Sequence, residues 1–173
     1  MCGIAGIVRF DGLPVDARLL RRMADTLIHR GPDAEGIWTD GCVGFAHRRL
    51  SIIDLGGSPQ PMATHDALQC VTFNGEVLNY RELRRRIDYP YRTDGDTEVV
   101  LAAFRARGVD AAREFRGQFA FAVHDSASGR TWLVRDRLGI LPLYYHATAR
   151  RVVFASEIKA LLPALESDLA VDH

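Results

Sequence analysis

The residue with the clearest chemical potential is Cys2, which lies between Met1 and Gly3. Removal of the initiator methionine would give Cys2 a free α-amine beside its thiol. An α-amine has an ordinary pKa of about 7.7–8.0, so it can accept the thiol proton near neutral pH without a histidine base. Gly3 leaves room for the backbone to approach a substrate. This opening predicts an N-terminal nucleophile, although Met-Cys-Gly also occurs by accident.

A thiol that attacks an acyl group needs hydrogen-bond donors for the oxyanion that forms. Asn74 and Gly75 follow the apolar stretch 68–73, which is predicted to be a strand. They offer a side-chain amide and an unhindered backbone N–H where that strand is predicted to end. The alternative interpretation is a simple Asn-Gly turn.

An amino-acid substrate also needs a cation for its carboxylate and carboxylates for its ammonium group. Arg49 lies at the end of a predicted strand, and Glu76 and Asp96 lie in predicted loops. These three charges fit an amino acid, although each could instead be a surface charge.

The elements that must position these residues alternate between strands and a few helices. Strands are predicted over 2–10, 36–39, 42–47, 68–73, 118–124, 131–135, 143–146 and 151–155. Helices are predicted over 16–29 (capped by Asp16), 80–87, 97–107 and 157–162, and a loop over 55–67. Asp40-Gly41 predicts a tight hairpin. Strands followed by helices and then strands favour an α+β fold over a doubly wound parallel sheet.

Composition argues against several classes of function. Lys plus Arg equal Asp plus Glu at 22 each, so no charge excess indicates nucleic acid or an anionic membrane. The chain has no apolar stretch near the ~20 residues of a membrane-spanning helix, and its N-terminus lacks the features of a signal peptide, so we expect a cytoplasmic protein. The histidines show no metal-binding spacing, and no Gly-rich phosphate loop is present. Cys42 and Cys70 are predicted to be small buried hydrophobes, and Arg84, Arg85 and Arg86 a solvated helix face.

Eight short motifs in order make a family resemblance apparent. They are Met-Cys-Gly-Ile-Ala-Gly at 1–6, His-Arg-Gly-Pro-Asp at 29–33, Arg-Leu-Ser-Ile-Ile-Asp at 49–54, Asn-Gly-Glu-Val-Leu-Asn-Tyr at 74–80, Asp-Thr-Glu-Val at 96–99, Phe-Ala-Phe-Ala at 119–122, Arg-Asp-Arg-Leu-Gly-Ile-Leu-Pro-Leu-Tyr-Tyr at 135–145 and Ala-Ser-Glu-Ile-Lys-Ala-Leu-Leu at 155–162. With these motifs the chain resembles the N-terminal glutaminase domain of glutamine-hydrolysing asparagine synthetase and related class II, N-terminal nucleophile amidotransferases.

The resemblance implies a four-layer αββα sandwich with two antiparallel sheets, formed by one type-2 glutamine amidotransferase domain over residues 1–173. It implies hydrolysis of L-glutamine to glutamate and ammonia through a thioester on Cys2. Asn74 and Gly75 then match the oxyanion hole.

The resemblance also assigns the residues that would recognise glutamine. Arg49 matches the residue that holds the α-carboxylate, and the backbone of Leu50, Ser51, Ile52 and Ile53 lies along the same pocket. Glu76 and Asp96 match the positions that take the α-ammonium, and Gly95 lies beside Asp96 where serine is common. Three further departures from the family pattern are Leu78, Gln118 and Leu141.

In the family, ammonia passes to a second domain that activates a carboxylate with ATP. We therefore expect no cofactor or metal in this domain, ATP and Mg only in a synthetase domain outside these residues, and that domain as a partner in the same or another chain. A homodimer is compatible with the resemblance. The acceptor stays open between aspartate and a specialised-metabolite carboxylate. Two alternative functions are a catalytically silent domain that binds a synthetase and a hydrolase of another amide.

Overall fold

The fold consists of two antiparallel sheets enclosed by helices, in a computed structural model that describes residues 1–51 and 58–165. The strands are β1 (Gly3–Arg9), β2 (Ala34–Asp40), β3 (Val43–Arg49), β4 (Met62–Ala63), β5 (Gln69–Val77), β6 (Gly117–Asp125), β7 (Arg130–Arg135), β8 (Tyr144–Ala147) and β9 (Arg151–Ala155). The α-helices are α1 (Ala17–Asp25), α2 (Tyr80–Arg86) and α3 (Asp96–Arg107). Short 3₁₀ turns occupy Gly108–Glu114, Ile158–Ala160 and Leu162–Ala164. Within the described ranges, the first sheet has the order β2-β3-β1-β9-β8 and the second β4-β5-β6-β7.

Three groups of buried side chains hold four layers together. α1 and the C-terminal 3₁₀ turns cover the outer face of the first sheet, where Leu20 and Met23 pack near Ile7. α2 and α3 cover the outer face of the second sheet. Phe45 and Phe154 of the first sheet meet Cys70 and Ala122 of the second between the sheets. The predicted αββα sandwich is confirmed.

Strand alternation determines which residues face the space between the sheets. Successive side chains of a strand point to opposite faces, so residues two apart share a face. Ala5 and Ile7 pack on the helix side of β1, and Gly6 faces inward, where an added Cβ would come within 2.3 Å of the Phe154 ring. The same alternation places Cys2, Arg49 and Asn74 on the inward face at β1, β3 and β5.

Most element predictions are confirmed, with differences at the ends. The Asp16 side chain accepts a hydrogen bond from the Arg18 N–H at 2.8 Å and caps α1, but α1 is shorter than the predicted 16–29 helix. The β2–β3 hairpin forms at Asp40-Gly41, and Gly41 has the positive φ of 52° that favours glycine in such a turn. The predicted final helix is replaced by two 3₁₀ turns, and β4 lies inside the predicted loop.

Two predictions about small groups of residues are wrong for one member each. Cys70 is buried in β5 as expected, but Cys42 is only half-buried and lies in the turn before β3. Of the predicted solvated helix face, Arg85 and Arg86 are exposed. Arg84 is only half-exposed, because its guanidinium stacks 4.1 Å from the Tyr91 ring centroid and donates to the Thr93 carbonyl. Across the described part of the chain, no helix is long and apolar enough to cross a membrane.

Candidate active site

Cys2 lies half-buried immediately before β1, opposite the end of β3. The register pairs Gly3 with Arg48, so the chain at Cys2 runs beside Arg49 and Leu50. The backbone N–H of Leu50 donates to the Cys2 sulfur at 3.3 Å, and the thiol lies 3.6 Å from the Leu50 carbonyl. Cys2 lines a pocket at the open end of the two sheets.

Burial raises the pKa of the Cys2 thiol above its usual 9.0, and the negative charge of Asp96 adds to this effect. The hydrogen bond from Leu50, the positive N-terminus and the Arg49 guanidinium act in the opposite direction. The thiol is therefore protonated at neutral pH, so its use as a nucleophile requires a base close to it.

The motif over 29–33 fixes both Cys2 and the segment beside it. The Nε of Arg30 donates to the Cys2 carbonyl at 2.9 Å, and its Nη1 pairs with Glu157 at 3.0 Å. Asp33 accepts a hydrogen bond from the Ser51 N–H at 2.7 Å. The Gly-Pro pair in this motif predicts a turn, but nothing in the local sequence predicts the contacts of Arg30 and Asp33.

Asn74 and Gly75 lie inside β5, which continues to Val77. The prediction of a strand end is therefore wrong, and so is the alternative of an Asn-Gly turn. The Asn74 side chain is fully buried, and its amide nitrogen and oxygen have no hydrogen-bond partner among residues 1–51 and 58–165. Because buried amides are nearly always hydrogen-bonded, this amide is suited to bind a ligand group in the pocket that it lines.

Glycine is required at position 75 for two reasons. Its φ of 150° is rarely adopted by residues with a side chain. An added Cβ would come within 2.3 Å of the Gln118 carbonyl and 2.6 Å of Phe119 Cα on β6. The strand can therefore continue past Asn74 only with glycine at this position.

Glu76 and Asp96 were predicted to lie in loops, and this prediction is wrong. Glu76 is in β5, and Asp96 is the first residue of α3. The Asp96 carboxylate accepts the Val77 N–H at 2.9 Å. The pKa of Asp96 is raised from 3.8 to about 6, chiefly by burial and to a smaller extent by the Glu76 carboxylate, against the opposing effect of hydrogen bonds from the backbone N–H groups of Val77 and Thr97. The pocket therefore has two neighbouring carboxylates at one end, which suits a cationic group.

The segment before Asp96 is held by Glu98, whose side chain is fully buried. Glu98 accepts hydrogen bonds from the backbone N–H groups of Arg92 and Thr93 and from the Thr93 hydroxyl, at 2.7–3.1 Å. Although burial raises the pKa of Glu98, these hydrogen bonds lower it more, and the net pKa lies below 4.5. The carboxylate thereby orders the chain that leads into Gly95.

The pocket brings together most of the predicted site residues. Those that line it are Cys2, Arg49, Leu50, Asn74, Gly75, Glu76, Gly95 and Asp96. Ser51 is described but is not among the lining residues, and Ile52 and Ile53 lie outside the described residues. The pocket is also lined by residues that the sequence did not predict, namely Met1, Ser58, Gln60, Phe73 and Thr97.

The three departures from the family pattern have different positions. Gln118 lines the pocket, opposite Glu76 in the β5–β6 register. Leu78 is 68% exposed and Leu141 is buried at 1% exposure, and neither is a lining residue. Within the described part of the chain, no group of three His, Cys, Asp or Glu side chains could hold a metal ion.

The architecture is that of solved amidotransferases. The chain superposes on glutamine phosphoribosylpyrophosphate amidotransferase from Bacillus subtilis, in complex with ADP and GMP, with a TM-score of 0.75 over 92% of this chain and 43% of that one. A structure described as the allosteric regulatory enzyme of purine biosynthesis gives a TM-score of 0.78 over 94% and 43%. Identity is 19% in both cases, so this likeness establishes the fold alone.

The chain belongs to the glutamine amidotransferase domain family, which it matches over residues 1–173. It is 40% identical to asparagine synthetase [glutamine-hydrolyzing] 1 of Bacillus subtilis (strain 168), over 99% of this chain and 28% of the relative. It is 38% identical to asparagine synthetase B [glutamine-hydrolyzing] of Escherichia coli (strain K12), over 94% and 30%. The chain thus spans less than a third of the length of these relatives.

Proposed function

We propose that this chain hydrolyses L-glutamine to glutamate and ammonia, with Cys2 as the nucleophile after removal of Met1. The observation that carries the proposal is the pocket itself. A half-buried thiol, a buried amide without a partner among the described residues and a buried carboxylate, on Cys2, Asn74 and Asp96, line one pocket. These groups are what the reaction needs at the two ends of a glutamine molecule.

The chemistry proceeds through a thioester. The free α-amine of Cys2 accepts the thiol proton, and the sulfur attacks the side-chain carbonyl carbon of glutamine. The Asn74 amide and the Gly75 N–H donate to the oxyanion of the tetrahedral intermediate. The C–N bond then breaks, and the proton held by the α-ammonium passes to the leaving nitrogen, which departs as ammonia. Water, deprotonated by the same amine, attacks the thioester and releases glutamate and the free thiol.

The other end of the pocket recognises the amino-acid group. Arg49 binds the α-carboxylate, alongside the backbone of Leu50 and of the segment that follows. Asp96 and Glu76 bind the α-ammonium, and the missing side chain of Gly95 leaves space beside them. This arrangement favours a free amino acid over other amides, because both charges of the substrate have partners.

The released ammonia serves an amidation reaction in a synthetase domain. Both relatives named above are described as glutamine-hydrolysing asparagine synthetases, and this chain matches less than a third of each. We assign the ATP-dependent activation of a carboxylate acceptor to a partner domain in the same or another chain. The cytoplasm suits this activity, since a catalytic thiol must stay reduced and disulfides are rare there.

A glutaminase assay on protein with Met1 removed tests the proposal. Wild-type protein and the Cys2→Ala variant are compared for glutamate formation from L-glutamine, with and without ATP. We expect Cys2-dependent hydrolysis that releases free ammonia and does not require ATP. A properly folded wild-type protein without Met1 that binds a partner but hydrolyses no glutamine would support the silent-domain alternative. ATP-dependent amide formation by the isolated chain would contradict the assignment of that step to a partner.

A further inference from the structure

Gln60 connects the two halves of the pocket through its side chain. Its Oε1 accepts the backbone N–H of Phe73 at 2.7 Å, and its Nε2 donates to the Thr97 hydroxyl at 3.2 Å. Phe73 directly precedes Asn74 in β5, and Thr97 directly follows Asp96 in α3. One side chain therefore joins the backbone that carries the buried amide to the helix that carries the buried carboxylate.

The need for this connection follows from the short strand β4. In the β4–β5 register, Met62 pairs with Val71 and Ala63 with Cys70, so an extended ladder would place position 60 opposite Phe73. The ladder stops at Pro61, which has no N–H to donate. The Gln60 side chain satisfies the Phe73 N–H where a longer strand would have done so.

The backbone of Gln60 is held against the other sheet. A Cβ added to Gly36, in β2, would lie 1.8 Å from the Gln60 carbonyl oxygen, so the backbone segments at Gly36 and Gln60 are in direct contact. The side chain then extends from this support to β5 and α3. Gln60 also lines the pocket.

A second tie between β5 and α3 lies on the other side of the pocket-facing residues. The Val77 N–H donates to the Asp96 carboxylate at 2.9 Å. Asn74 and Glu76 thus lie between two fixed points, one at Phe73 and one at Val77. The separation between the Asn74 amide and the Asp96 carboxylate is set by these two ties.

We infer that Gln60 is a positioning residue that sets the length of substrate the pocket accepts, and thereby favours glutamine over asparagine. This inference rests on the proposed function, in which Asn74 contacts the side-chain amide and Asp96 the α-ammonium. Glutamine and asparagine differ by one methylene, a difference worth about 10–200-fold in a rigid site. Such discrimination requires that the two recognition groups hold a constant distance.

The test compares Gln60→Met with Gln69→Met. Methionine approximates the shape of glutamine without its hydrogen bonds, and Gln69 lies at the far end of β5, where it donates to Asp125 at 2.7 Å. On a Cys2→Ala background, calorimetry measures binding of L-glutamine and L-asparagine, and on the Cys2 background turnover gives KM and kcat. We expect Gln60→Met to reduce the preference for glutamine by about tenfold, ~1.4 kcal/mol, mainly through KM, and Gln69→Met to preserve it.

Thr97→Val provides a second variant that cuts the same connection with little change of shape, should Gln60→Met fold poorly. In a double-mutant cycle the two substitutions should be non-additive, because each removes the same hydrogen bond. A glutamine preference unchanged in folded Thr97→Val or Gln60→Met protein overturns the inference. If the wild-type protein hydrolyses no glutamine but binds it in preference to asparagine, and this preference depends on Gln60, the proposed hydrolysis is wrong. The positioning role of Gln60 would then still hold.

Discussion

The backbone N–H of Leu50 lies 3.3 Å from the sulfur of Cys2, so the chain next to Arg49 contacts the nucleophile directly. Asp33 holds the same segment from the other side by accepting the Ser51 N–H. In the proposed reaction, the group that binds the α-carboxylate and the group that attacks the side chain are therefore parts of one hydrogen-bonded unit. A change in either is expected to affect the other.

Retention of Met1 is expected to reduce activity strongly. In the uncleaved chain the Cys2 nitrogen is part of a peptide bond and is not basic, while burial raises the thiol pKa so that little thiolate forms. Loss of the base should reduce turnover by about 10²–10⁴-fold. Intact mass spectrometry of separated fractions, combined with the glutaminase assay, measures this. Full activity in a fraction that quantitatively retains Met1 would exclude the amine as base.

Replacement of Asn74 is expected to separate activity from stability. Asn74→Leu keeps the approximate shape of the side chain but removes a buried amide without partners among the described residues. Turnover should fall by about 10²–10³-fold, while the free energy of unfolding should rise by ~1–3 kcal/mol because the desolvation cost of the amide is removed. Urea unfolding and steady-state kinetics measure the two effects. Asn74→Ala controls for steric blockage of the pocket by leucine. Wild-type turnover in Asn74→Ala would show that the Asn74 amide does not stabilise the oxyanion.

Arg49 and Arg48 offer a matched pair on opposite faces of β3. Arg49 lines the pocket, and Arg48 forms ion pairs with Asp25 and Glu35 on the outer side. Arg49→Met should weaken glutamine binding by about 2–5 kcal/mol, and it should raise the Cys2 pKa, since the Arg49 charge lowers it. Calorimetry and the pH dependence of thiol alkylation measure these effects. Equal glutamine affinity in Arg49→Met and Arg48→Met would place the carboxylate site elsewhere.

The order of strands and helices was sufficient to predict an α+β fold, and the family resemblance supplied the four-layer sandwich and most of the nucleophile's surroundings. Alternation in β1, β3 and β5 determines the inward face, and the motifs name Cys2, Arg49 and Asn74. The predicted end of the strand at Asn74 was wrong for a physical reason. An Asn-Gly pair is the usual sign of a tight turn, and only the close approach of β6 to Gly75 shows why glycine is needed in a continuing strand.

Contacts between distant segments were beyond prediction from local patterns. Gln60 forms hydrogen bonds to Phe73 and Thr97, which are 13 and 37 positions away in the sequence. From the sequence alone, Gln60 is only a polar residue before a proline in a predicted loop. Arg30 contacts Cys2 across 28 positions. Such pairs depend on how the two sheets are brought together, and no periodicity in either segment encodes them.

The pH dependence of glutamine use is expected to follow Asp96. Its pKa is raised to about 6 by burial and by Glu76, and only the ionised carboxylate can pair with the α-ammonium of the substrate. The KM for glutamine should therefore rise as pH falls below about 6, by up to tenfold per pH unit. Kinetics between pH 5 and 8 measure this. A KM that stays constant over that range would remove Asp96 from ammonium binding.

The same pKa fixes the sign of a stability effect. Between pH values of about 4 and 6, folded Asp96 binds a proton that the unfolded chain does not, so stability is lost as pH rises through this window. Asp96→Asn, which can still accept the Val77 N–H, should raise the free energy of unfolding at pH 7 by up to ~3 kcal/mol, and by less at pH 4. Asp125→Asn is the control of opposite sign, because the hydrogen bond from Gln69 lowers the Asp125 pKa and the charged form stabilises the fold. Urea unfolding of both variants at pH 4 and pH 7 decides the matter. A less stable Asp96→Asn protein at pH 7 would mean that the carboxylate is held by favourable contacts that outweigh its burial.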